Sequence, residues 1–246
     1  MSLPVAVIPA RWASSRFPGK PLALISGRPM IEHVHRRCVE AGCFGEVVVA
    51  TDDERIARAV SGFGGQVVMT SPSCPSGTDR VAEVARARPG TPDDVFINVQ
   101  GDEPAVHRDS LRALTALFAT ATVEMATLVR TLAPEERANP NVVKAVLAED
   151  GRALYFSRAD LPFDREGTGR APRWAHLGLY GYRRRTLERL ATLSPTALEQ
   201  SEALEQLRAL GHGLSIHCAV TPHRAVAVDR PEDVPLAEAA LAARQQ

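Results

Sequence analysis

Through the first half of the chain, short continuous apolar runs alternate with stretches in which apolar positions recur every three or four residues. The runs at 4–9, 46–50, 66–69 and 95–99 read as strands, the first with the continuous apolar pattern of one covered on both faces and the second buried as well. Between and after them, 29–41, 53–63, 78–87 and 108–118 read as amphipathic helices. Pro29 opens the first helix, Gly42 stands just past its end, and Gly64 and Gly65 stop the second. Repeated strand–helix units with short connections predict an α/β fold, Rossmann-like, with a mostly parallel central sheet and helices on both faces. Ligands of such a sheet bind beyond the carboxyl ends of its strands.

The second half is less regular. Residues 124–130 and 142–147 read as strands, and 168–172 as a polar loop. Residues 176–182 alternate, with Leu177 and Leu179 on one face and His176, Tyr180 and Tyr182 on the other. A helix is expected over 196–210, with Ala203, Leu204, Leu207 and Leu210 along one side and Glu199, Glu202 and Gln206 sharing the opposite face. Thr196 and Glu199 fit a capping box, so Glu199 is read as structural. A last helix starts at Pro231.

The 246 residues are 45% hydrophobic and 24% charged, with a formal net charge of +0. That balance suits a globular domain and lacks the basic excess of a nucleic-acid binder. No apolar run approaches the ~20 residues that span a bilayer. The N-terminus lacks the basic segment of a secretory signal, so the cytoplasm is the expected compartment. Cys38, Cys43, Cys74 and Cys218 form no CxxC pair and no HExxH occurs, so ordinary thiols and no structural zinc are expected.

Candidate chemistry gathers where the apolar runs stop. After the first comes a Pro/Gly-rich loop, residues 9–22, carrying Arg11, Arg16 and Lys20. Three cations there could neutralise a triphosphate and hold its leaving group. A Walker A loop is excluded, because Pro21 stands where Ser or Thr would bind magnesium. A dinucleotide oxidoreductase is excluded too, since no GxGxxG follows the first strand. Ser76-Gly77-Thr78-Asp79-Arg80 starts the third helix and can cap it, bind a ligand, or both. Gln100-Gly101-Asp102-Glu103-Pro104 puts a carboxylate at the mouth of the sheet, with Gly101 allowing close backbone approach. Asp229, before Pro231, reads from spacing as a helix start. Lys144 is a further candidate anion contact.

Taken in order, the strings PARxxSxRxPGKxL from Pro9, ATDD from Ala50, SGTDR from Ser76, NVQGDEP from Asn98, ALYFSR from Ala153, HLGLYGY from His176 and LEQLR from Leu204 resemble the 3-deoxy-manno-octulosonate cytidylyltransferase (CMP-KDO synthetase) family over nearly the whole chain. The resemblance implies a nucleotide-diphospho-sugar transferase fold in one nucleotidyltransferase domain, 1–246. Residues 125–182 would contribute an acceptor and dimerisation lobe, and the protein would be a homodimer. By the same resemblance Arg11, Arg16 and Lys20 hold the CTP phosphates, and Ser76, Gly77, Thr78, Asp79, Arg80 and Gln100 read the cytidine. Asp102 and Asp229 hold Mg2+, and Lys20 and Arg11 join them in catalysis. Arg158, His176, Tyr180, Glu202 and Gln206 line the acid-sugar pocket. The sequence departs from the family at Ala227, where Gly is common, and at Arg230, where Thr is common.

The implied reaction is direct in-line attack of the acceptor hydroxyl on the α-phosphate of CTP, with release of pyrophosphate. The same chemistry on an amino-sugar acid or on a phosphonate such as phosphonoformate is the alternative, and Arg230 could pair with an extra negative charge. A non-catalytic nucleotide-binding protein would be expected to lack a loop cation or a metal aspartate, and all are present.

Overall fold

The computed structural model describes residues 2–13 and 16–243. β1 (Val5–Ala10) leads through a two-stranded hairpin, β2 (Leu24–Ile25) and β3 (Arg28–Pro29), into α1 (Met30–Ala41). There follow β4 (Glu46–Thr51), α2 (Glu54–Gly62), β5 (Gln66–Met69), α3 (Gly77–Arg86), β6 (Val95–Asn98) and α4 (Arg108–Ala116). The second half contains β7 (Met125–Thr131), β8 (Lys144–Leu147), β9 (Ala153–Ser157), β10 (Trp174–Arg183), α5 (Arg184–Leu190), α6 (Ala197–Glu202), α7 (Gln206–Gly211), β11 (Ile216–Val220) and α8 (Val234–Ala243).

The central sheet has the order β5-β4-β1-β6-β10-β7-β11. β1 runs parallel to both β4 and β6, β4 to β5, and β11 to β7; β10 alone is reversed, antiparallel to β6 and β7. Chain order turns round between β1 and β6, which opens a crevice at their carboxyl ends. Within the segment expected to form a lobe, β7 and β10 are strands of this central sheet. Only β8, β9 and their connections extend it sideways, β8 pairing with the first residues of β10.

Strand alternation divides the core between two faces. Ala6, Ile8 and Val49 join Ile31, Val34, Ile56, Leu111 and Leu114 on one side. Val7, Val48 and Ala50 join Val81, Ala82, Leu187, Leu204 and Leu207 on the other. Hence α1, α2 and α4 cover one face and α3, α5 and α7 the other, as the first-half pattern predicts. A third, smaller cluster joins Ile25, Met30, Ala105, Val228, Ala237 and Leu241. It packs α8 against the β2–β3 hairpin, and Glu238 accepts from the Ser26 N–H at 2.7 Å. This cluster fixes the segment that carries Asp229. No helix among the described residues is long and apolar enough to cross a membrane.

The single helix expected over 196–210 is broken. α6 ends at Ala203, which takes a left-handed conformation (φ 50°), and α7 starts at Gln206. The break lets Leu204 and Leu207 both reach the core. Glu199, Glu202 and Gln206 therefore do not share one helical face. The capping box of Thr196 and Glu199 is present as expected, and Glu199 also pairs with Arg208 at 2.6 Å.

Candidate active site

The loop leaving β1 closes on itself. The Gly19 N–H donates to the Trp12 carbonyl at 3.1 Å. Gly19 sits at φ +72°, and a Cβ there would lie 2.9 Å from the Trp12 ring. The Arg55 guanidinium covers that ring 3.4 Å from its centroid and is itself paired with Asp53, the N-cap of α2, at 2.6 Å. Trp12 thus braces the loop, a role the sequence did not reveal; Ser14 and Ser15 lie outside the described residues. Lys20 follows in a short 3₁₀ turn with its side chain 15% exposed.

Three chain segments far apart in sequence meet at this lysine. Lys20 Nζ donates to Asp102 Oδ2 at 2.7 Å and to Asp229 Oδ1 at 3.3 Å, and Arg16 Nη2 approaches Asp229 Oδ1 at 3.3 Å. The Val228 N–H donates to the Asp102 carbonyl at 2.9 Å, which fixes the two aspartate segments side by side. The helix-start role that spacing suggested for Asp229 belongs to its neighbours. Arg230 occupies the N-cap position, and Asp233 accepts from the Asp229 and Arg230 N–H groups at 2.8 and 2.9 Å. Asp229 is left facing Lys20.

Gly101 approaches β1 itself: a Cβ would stand 2.7 Å from the Pro9 carbonyl oxygen. Backbone cannot yield as a flexible side chain can. Gly101→Ala is therefore expected to lower stability by about 1–3 kcal/mol and, by displacing Asp102, to lower turnover on the order of 10²-fold. Thermal unfolding and steady-state kinetics of the variant check both effects.

From the other wall comes the start of α3. Ser76 is its N-cap, accepting from the Asp79 N–H at 3.2 Å, and its hydroxyl donates to Asp79 Oδ2 at 2.7 Å. Ser76, Gly77 and Arg80 line the cavity, but Thr78 and Asp79 do not. A helix turns 100° per residue, so only residues three or four apart share a face. Thr78 is buried and bonds Tyr182, while Asp79 is engaged by Ser76. Arg80 faces Asp52 at 3.4 Å behind the wall. Gln100 Nε2 donates to the Gly178 carbonyl at 2.9 Å, at the bulge of β10 between Leu177 and Tyr180. Cys74, read as an ordinary thiol, also lines the cavity. Burial and its hydrogen bond to Glu83 push this thiol up to about 11.

The resulting cavity is about 420 Å³ and is lined by Arg11, Arg16, Lys20 and Arg80 against Asp102 and Asp229. Cations outnumber carboxylates, as a polyphosphate site requires. The aspartate side chains are 29% and 44% exposed, so both can reach water as well as a ligand. Two carboxylates with room for water and phosphate oxygens are the donor set of a hard divalent cation, and the site fits one.

The expected acceptor residues lie outside this lining, where β8, β9 and β10 meet α6 and α7. His176 Nε2 lies 2.9 Å from the Thr127 hydroxyl, and its ring is 5.0 Å from Phe156 and 5.4 Å from Tyr180. Tyr182, on the same face of β10, is core. Glu202 accepts from the Ser157 hydroxyl at 2.5 Å and the Arg158 N–H at 3.0 Å. Arg158 spans the carbonyls of Glu202, Ala203 and Pro140, so in this structure it caps the end of α6. Gln206 is buried at the start of α7. Lys144 is corrected: its buried ammonium donates to the Asn139 and Arg158 carbonyls at 2.7 and 3.0 Å, bracing the turn before Arg158.

Burial pushes the His176 imidazole down to about 3. The folded state therefore keeps it neutral while the unfolded chain protonates below its ordinary value of 6.5. The unfolded state binds more protons there, so stability falls as pH drops from 6.5 towards 3. His35 and His217 are also lowered by burial and act in the same direction. Between pH 6.5 and 5, His176→Gln is expected to remove about 1.5 kcal/mol of the wild-type loss. Urea unfolding of both proteins at the two pH values measures that difference.

Comparison with known proteins identifies the family and the fold. The family profile described as Cytidylyltransferase matches residues 5–216. The 3-deoxy-manno-octulosonate cytidylyltransferase of Myxococcus xanthus is 61% identical over 240 residues, 98% of this chain and 97% of that one. The protein of the same name from Vibrio parahaemolyticus is 45% identical, covering 96% and 97%. A solved CMP:2-keto-3-deoxy-manno-octonic acid synthetase in complex with CTP superposes with a TM-score of 0.92 at 39% identity, over 100% of both chains.

Proposed function

The chain belongs to the cytidylyltransferase family, and from that premise we propose that it transfers CMP from CTP to 3-deoxy-manno-octulosonate, releasing pyrophosphate. The observation that carries the site assignment is the meeting of Lys20 with Asp102 and Asp229, fixed by the Val228–Asp102 backbone bond. The acceptor hydroxyl oxygen forms a bond to the α-phosphorus, the bond to pyrophosphate breaks, and the hydroxyl proton is lost.

Arg11, Arg16 and Lys20 bind the phosphates and take up the charge that builds on the departing pyrophosphate. Gln100 uses its amide N–H on Gly178. Its carbonyl oxygen is left to accept from a donor such as the amino group of cytosine. The N–H groups at the start of α3, with Ser76 and Arg80, hold the ribose and phosphates. Asp102 and Asp229 would hold Mg2+. Once bound, the ion would polarise the α-phosphate and acidify the acceptor hydroxyl. His176, Tyr180, Glu202 and Gln206 shape the sugar-acid pocket, with Glu202 also positioning Arg158.

The family resemblance supports a cytoplasmic homodimer. Among the described residues β9 pairs with β8 alone, and Leu154 on it and Phe163 are 61% and 86% exposed. Equilibrium sedimentation tests that part. Pyrophosphate release with CTP and a panel of acids tests the activity itself. Turnover should require 3-deoxy-manno-octulosonate and vanish with a chelator. Faster turnover of an amino-sugar acid or a phosphonate would overturn the acceptor assignment.

A further inference from the structure

A second group of potential metal donors lies on the α4 side of the sheet. His107 is the N-cap of α4, its Nδ1 accepting from the Asp109 N–H at 3.2 Å, so Nε2 is the ring nitrogen that would ligate; Asp109 is in the first turn, and His223 follows β11. The two imidazoles stack with centroids 3.2 Å apart and planes within 14°. Asp109 Oδ2 lies 3.7 Å from His107 Nδ1 and 4.0 Å from His223 Nε2. One donor atom from each residue falls within 4.8 Å of the other two.

The framework that carries these groups is fixed. The Ser110 and Thr221 hydroxyls bond each other at 2.9 Å in the interior, and the Thr221 N–H donates to the Val129 carbonyl at 2.9 Å. Arg112 holds Asp109 Oδ1 at 3.0 Å, so the other carboxylate oxygen is left towards the rings. A supporting contact of this kind is what orients a carboxylate ligand. His107, His223 and Asp109 keep 24%, 30% and 60% of their side chains exposed, so water can complete a coordination shell.

We propose that His107, Asp109 and His223 bind a divalent transition metal of the zinc class, with one imidazole nitrogen from each ring, one carboxylate oxygen and water. The donors set this site apart from Asp102 and Asp229. Imidazole nitrogen selects borderline transition metals, whereas carboxylates alone suit magnesium. Imidazole lone pairs lie in the ring plane, so binding one ion requires the two stacked rings to tilt apart until their nitrogens converge. The ion joins two chain segments, 102–107 and 223–229, whose far ends carry the two aspartates. The Val228–Asp102 bond is the other rung between those segments.

Calorimetric titration of the full chain with Zn2+, with Mg2+ in large excess, tests the site. One equivalent should bind, the affinity should fall at least tenfold in His223→Ala and in Asp109→Asn, and it should be unchanged in Asp102→Asn. Circular dichroism confirms that each variant is folded, and His223→Asn replaces the alanine variant if that one is not. Failure of the wild type to bind one equivalent, or equal affinity in folded His223 and Asp109 variants, would overturn the proposal.

Discussion

Lys20→Ala is expected to lower pyrophosphate release from CTP by about 10²–10³-fold, with most of the loss in kcat. In the structure one ammonium group, 15% exposed, touches both carboxylates at 2.7 and 3.3 Å. The same group lines the cavity in which the triphosphate is proposed to bind. Its removal takes away charge stabilisation that grows in the transition state, so kcat falls more than KM rises. A second consequence separates this role from a structural one. A divalent cation held by Asp102 and Asp229, as proposed, would compete with Lys20 for the same carboxylate oxygens. Lys20→Met should therefore bind Mg2+ more tightly than wild type while turning over far more slowly. Thermal shift against Mg2+ concentration and steady-state kinetics read the two effects. Weaker Mg2+ binding together with near-normal turnover would remove Lys20 from both roles. Arginine should rescue poorly, because a planar guanidinium cannot replace a compact ammonium between two carboxylates.

Asp102→Asn should lower kcat on the order of 10³-fold with little change in fold. Its carbonyl still accepts from Val228, and its side chain is 29% exposed, so the substitution leaves the scaffold in place. Only the charge and one donor oxygen are lost. Asp229→Asn should resemble it. The double variant should be little worse than either single one, since both residues serve one centre. Kinetics at saturating CTP and a melting curve decide the matter: a large loss of stability, or additive losses in the double variant, would point to separate structural roles.

Much of the fold was legible because the apolar runs were short and bounded. Residues 66–69 coincide with β5, and Gly42 ends α1 in the left-handed conformation that few other residues adopt freely. The loop cations and Asp102 were legible because they stand in the loops that leave β1 and β6. Asp229 was ambiguous, since spacing alone could not tell whether it or Asp233 served the helix start. That was settled by a hydrogen bond between neighbours.

Other features depended on tertiary packing that no local pattern carries. Ala203 adopts positive φ so that two leucines reach the core, a tertiary override of helix propensity. Thr78 and Asp79 share a string with Ser76, but a helix turns its first residues to different sides, so Thr78 bonds Tyr182 and Asp79 bonds Ser76. Lys144 looked like an anion contact until its ammonium was found bracing two carbonyls. β9 and β11 are only five residues each, too short for periodicity alone to mark them, and their pairing with β8 and β7 defines them. The histidine and aspartate cluster escaped the sequence motifs for zinc because β11 and α4, far apart in the chain, supply its members.

The central claim is that Asp102 and Asp229 share one divalent cation on a triphosphate held by the loop of Arg11, Arg16 and Lys20. Anomalous scattering from crystals grown with CTP and Mn2+ in place of Mg2+ tests it most directly. An ion peak is expected about 2.1 Å from an oxygen of each aspartate, with the triphosphate against those three cations. A triphosphate-bound ion that neither aspartate touches, or a triphosphate lying away from Lys20, would contradict it.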